Sequence, residues 1–153
     1  MNHAVAEFRA QYREQHIGRS YRGWLHFGFT VSMASTIIVL CALQLHDVTP
    51  WEWLTLPLTF VYANFAEYFG HKGPMHHLRP GLRLVYERHT RQHHRFFTET
   101  EMAFESPRDF KAVLFPPVLV TFFLLAFGTP MALLLTWLTT SNVGYLFGLT
   151  AAT

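Results

Sequence analysis

All 12 lysines and arginines of this 153-residue chain lie in two stretches, 1–23 and 70–111. The stretches between and after them, 24–45, 51–69, 112–127 and 131–152, contain neither residue type. Apolar runs of this length without cations look built to span a bilayer as helices that satisfy their own backbone polar groups. The first, WLHFGFTVSMASTIIVLCALQL, also lacks Asp and Glu. As a helix it reaches about 33 Å, enough to cross the hydrocarbon core.

The expected fold is therefore an all-α integral membrane protein with about four transmembrane helices. Spans 24–45 and 51–69 form a first hairpin through the link HDVTP, with Trp51 and Trp53 anchoring the second span and Pro57 kinking it. Spans 112–127 and 131–152 form a second hairpin through a tight turn at 128–130, with Pro116 and Pro117 bending the third span early. Segment 1–23 reads as a helix on the membrane face, and 70–111 as a polar block between the hairpins. Both short links lack Lys and Arg, so the positive-inside rule places the N-terminus, the polar block and the C-terminus in the cytoplasm. The N-terminus lacks the early apolar core of a cleaved signal peptide. A formal charge of +2 gives no basis for nucleic-acid binding, and the single cysteine, Cys41, cannot close an internal disulfide.

Six of the ten histidines fall within HKGPMHHLRPGLRLVYERHTRQHH, residues 71–94. The segment 82–94 has no helix breaker. On an α-helix His89 and His93 share a face, and His94 points about 100° further round. His71 and His76 are separated by Gly73 and Pro74, so a helix end and turn must fold one back toward the other. Imidazole suits iron, copper, nickel and zinc, and no cysteine lies near to supply thiolate. Ligands at two spacings favour two ions. The plain alternative is headgroup binding alongside arginine, but so dense a set favours metal. For His3, His16, His26 and His46 the plain reading is the stronger. Glu67, one turn before His71, is balanced between orienting that ring and snorkelling at a span end. Phe96, Phe97, Phe104 and Phe110 read as packing before they read as a substrate path.

The pattern His71-x4-His76 followed by His89-x3-His93-His94, between membrane hairpins, resembles the fatty acid hydroxylase/sterol desaturase superfamily. So does the wording EYFGHKGPMHH and YERHTRQHHRFF. The resemblance covers roughly 60–150. It implies a non-haem centre of two iron ions with O2 as cosubstrate, a lipid substrate and a separate electron-donor protein. His71 and His76 would be ligands from one box and His89, His93 and His94 from the second, with His77 a weaker candidate. The expected activity is hydroxylation of a lipid C–H bond; desaturation, or a truncated non-catalytic relative that keeps the membrane fold, are the alternatives. The family pattern has a further histidine-rich region after the last hairpin. No histidine follows His94 here, so the sequence reads as the first part of such an enzyme.

Overall fold

The computed structural model describes residues 3–153. Among these the chain is mostly helical, with one isolated bridge between Thr98 and Glu101 in place of any strand. Two helical runs, Gly23–Leu43 and Pro107–Leu138, are long and apolar enough to cross a membrane, and the most apolar stretch of each is not buried within the protein. The chain divides into two compact units. One takes in the chain up to Gly28 together with Tyr68–Pro116, and the other Phe29–Glu67 with Pro117–Thr153.

The first unit is built on α1 (His3–His16), the start of α2 (Gly23–Leu43) and the polar block. Tyr12, Ile17, Phe96, Phe97 and Ala112 form its apolar core, with Phe8 and Tyr21 packed against it. Arg9 lies in the segment read from sequence as a helix on the membrane face, yet it is only 1% exposed. Its guanidinium donates to the carbonyls of Phe96 (2.9 Å), Ala103 (3.1 Å) and Glu101 (2.7 Å) and to Glu105 Oε1 (2.8 Å). Its face also lies over the Phe96 ring, 5.0 Å from the centroid. A planar fork with five donors is the one cationic side chain that can meet so many acceptors at once.

Arg13 repeats the theme. It pairs with Asp109 through Nε and a terminal nitrogen (2.8 and 2.9 Å) and also reaches Glu105. Asp109 is fully buried. Burial opposes its charge, but the Arg13 bonds and the Glu105 and Ser106 amides together hold its carboxyl below the usual range. Asp109 also closes a capping box with Ser106, which starts the helical turn leading to α6 (Phe110–Val113). At α2, Gly23 lies so close to the Pro107 carbonyl that a Cβ would collide with it. His26 is buried, bonded through Nδ1 to the Tyr21 hydroxyl (2.8 Å) and through Nε2 to the Phe115 carbonyl (3.0 Å). It is a structural histidine rather than one that meets lipid headgroups.

The second unit corrects one boundary. The tight turn expected at 128–130 is absent, and Gly128 and Thr129 have helical angles. Helix α7 (Pro117–Phe123) passes through a π turn at Leu124–Gly128 directly into α8 (Thr129–Leu138). A proline lacks the N–H an α-helix needs and clashes with the preceding turn; widening that turn to i→i+5 bonding relieves both problems at Pro130. The reversal comes instead at Thr139–Thr140, where both residues leave helical geometry and the Thr140 hydroxyl caps α9 (Ser141–Ala151). Upstream, Pro116 and Pro117 do more than bend a span. Leu114 is extended, the helix is interrupted at 114–116, and Pro117 restarts it as a first-turn proline.

Helix α9 packs closely on α8 because Gly144 sits against Thr136 and the Ala132 carbonyl, where a Cβ would not fit. Glu52 then ties the two links of this unit together. Its carboxylate accepts from the Thr49 amide (2.7 Å), the Thr140 hydroxyl (2.5 Å) and the Asn142 amide group (3.3 Å). Asn142 also exchanges bonds with the His46 backbone. The second expected span resolves into a short 3₁₀ turn at Glu52–Leu54 followed by α3 (Thr55–Gly70).

Candidate metal centre

Four histidines converge in the first unit. His71, His76, His89 and His94 each offer one ring nitrogen, and these nitrogens all lie within 4.8 Å of one another. Ring centroids are 4.6 Å apart for His71–His76, His71–His89 and His89–His94. The Nε2 atoms of His89 and His94 are 3.1 Å apart. Two nitrogens on one ion at a bond length of about 2.1 Å stand roughly 3–4 Å apart, so the set fits a single ion after a small contraction. The donors are all imidazole, a set suited to iron, copper, nickel or zinc.

The backbone explains the convergence. Both pairs are five residues apart, which on an α-helix leaves them about 140° out of line. Each pair instead sits on a π turn, His71–Met75 capped by His76 and Glu87–His93 capped by His94. With i→i+5 bonding, residues five apart stand about one turn above each other. In the first turn Pro74 forbids normal α bonding locally. In the second no residue breaks the helix; tertiary bonds accompany the widened geometry. Thr90 donates its hydroxyl to the Met75 carbonyl (2.6 Å), and Arg88 binds the Tyr12 hydroxyl (2.7 Å) and the Lys111 carbonyl. The α-helical expectation, in which His89 and His93 share a face and His94 turns away, is thus reversed: His94 joins His89.

His93 stands beside the cluster, its ring 5.5 Å from those of His89 and His94. Its Nδ1 is 3.2 Å from the Ala112 carbonyl. A proton on Nδ1 makes that bond and leaves Nε2 as a free acceptor, the usual way a protein orients a ligating imidazole. Thr90 does the same for His76, its oxygen lying 3.4 Å from His76 Nδ1. His77 is exposed and outside the group, and Glu67 is exposed on α3. Phe96 and Phe97 are core residues rather than a path. Thr90, Arg88 and the Ala112 carbonyl are not recognisable as site elements from sequence, because each acts through a contact distant along the chain.

Burial keeps His76, His89 and His94 neutral, the form that binds metal. Burial is the first cause, lowering His89 to about 4, with repulsion from His94, His71, His93 and His76 adding to it. Burial likewise lowers His76 and His94, helped by neighbouring histidines. For His89 the folded value lies below the ordinary 6.5. Between the two, the unfolded chain binds more protons, so stability falls as pH drops through that window and is level above it. Chelator-treated protein should therefore lose thermal stability from about pH 6.5 downward, and His89→Gln should flatten the profile. A profile equally steep in the variant would contradict this.

Comparison with family models, with curated proteins and with solved structures finds no match to this chain.

Proposed function

We propose that this chain is a membrane-bound, histidine-ligated iron oxygenase that hydroxylates a C–H bond of a lipid. The observation that carries the reading is the convergence of His71, His76, His89 and His94 within 4.8 Å, in a chain with two helical runs apolar enough to span a bilayer. In this reading those four imidazoles would hold one iron. His93, with Nε2 left as an acceptor by its Ala112 bond, would offer a ligand toward a second. The apolar helical runs cross the membrane and the histidine block faces the cytoplasm.

Iron bound here would activate O2, which with two electrons and two protons yields one hydroxyl on the lipid and one water. The electrons come from a separate donor protein. The chain's own contribution is to keep His76, His89 and His94 neutral, to fix His76 and His93 by Thr90 and the Ala112 carbonyl, and to set an apolar wall at 112–115 beside His89 and His93. Such a wall limits water at the reacting position.

The test is turnover of the purified chain in lipid nanodiscs, with Fe(II), a reductant and isotopically labelled O2. A hydroxylated lipid carrying the label supports the proposal. A new double bond without label would make it a desaturase. No oxidised lipid with a loaded metal site would leave a non-catalytic relative.

A further inference from the structure

A cavity of about 190 Å³ opens directly on the histidines. Arg88, His89 and His93 form one side, and the run Ala112, Val113, Leu114 and Phe115 forms the other. Ligand pockets that enclose a whole drug-sized molecule are about 300–1,000 Å³, so this cavity takes only part of a larger one. Its single charged group is already committed. The terminal nitrogens of Arg88 bond to the Tyr12 hydroxyl, Gln92 Oε1 and the carbonyls of Lys111 and Leu114. Its Nε is sealed from solvent without a partner. The terminal N–H groups of the guanidinium are therefore spent inside the protein, and only the sealed Nε is left. An anion placed there would lose its hydration against at most one donor, whereas alkyl carbons lose nothing polar.

Resting on the oxygenase reading, we infer that this cavity receives the apolar end of the lipid chain. The C–H bonds presented to His89 and His93 are then those near the methyl terminus rather than those near the headgroup. Val113 and Leu114 set how far the chain enters.

Two photoreactive fatty acids test this on the full chain in detergent, one with a diazirine at the methyl end and one with it beside the carboxylate. Metal content is measured on the same samples. The expected result is that the methyl-end probe labels 112–115 and the carboxyl-end probe does not. Val113→Trp and Leu114→Trp should each lose that labelling while retaining metal. Labelling of 112–115 by the carboxyl-end probe, or labelling untouched by both tryptophans, overturns the inference. A chain that binds no metal but still takes up the methyl-end probe keeps the cavity assignment and sinks the oxygenase reading. A metal-loaded chain without label at 112–115 sinks the cavity assignment alone.

Discussion

On the proposed oxygenase reading, His89→Ala should abolish iron binding, whereas His93→Ala should leave one ion per chain. The difference follows from where the π turn places the two rings. His89 is central to the cluster, with ring neighbours His71, His76 and His94 at 4.6, 5.2 and 4.6 Å. Removing it takes a ligand from the only set of four convergent imidazoles among the described residues. The loss should exceed the roughly 10–100-fold that deleting an outer partner costs a metal site. His93 offers its nitrogen to one side, held by Ala112. Its removal should spare the four-imidazole ion and cost the second. Iron per chain after dialysis, for both variants and for His3→Ala as a control, decides the matter. Equal loss in His89→Ala and His93→Ala would mean the five rings act as one site.

Arg9→Met lowers stability by about 3 kcal/mol, the low end for breaking a buried ion pair because Glu105 remains partly exposed. The substitution keeps much of the side-chain volume but strands three backbone carbonyls and a carboxylate. Glu105, held below the ordinary carboxylate range first by its Arg9 bond, would keep only Arg13. Because these acceptors lie at 96–105, α1 should loosen from the segment that follows His94. Arg9→Lys should recover part of the loss, since a point charge cannot span all four acceptors. Thermal unfolding in detergent measures the effect. A change within about 0.5 kcal/mol, the range of an ordinary surface substitution, would contradict the account of Arg9 as a buried tie.

Much of this is legible in the sequence. Segregated charge marks the apolar helices, and clustered histidines mark the site, because composition and spacing act locally. Four of the five expected ligands, His71, His76, His89 and His94, do come together. What was hidden is geometry set by distant contacts. The shared five-residue spacing of His71/His76 and His89/His94 gains its meaning only on π turns, and 87–93 carries no residue that demands one. The widening beside Pro130 likewise turns an apparent GTP turn into continuous helix, moving the reversal to Thr139–Thr140. Arg9 reads as a surface cation because nothing in α1 announces the four acceptors waiting at 96–105.

The most direct measurement is X-ray absorption at the iron edge of the purified chain after anaerobic loading with less than one equivalent of Fe(II) per chain, so that only the four-histidine position fills. The expected spectrum shows a nitrogen shell at about 2.1 Å with outer-shell scattering from at least four imidazoles. Iron that washes out, or a shell dominated by oxygen with one or two imidazoles, would contradict the assignment of His71, His76, His89 and His94 as a metal centre.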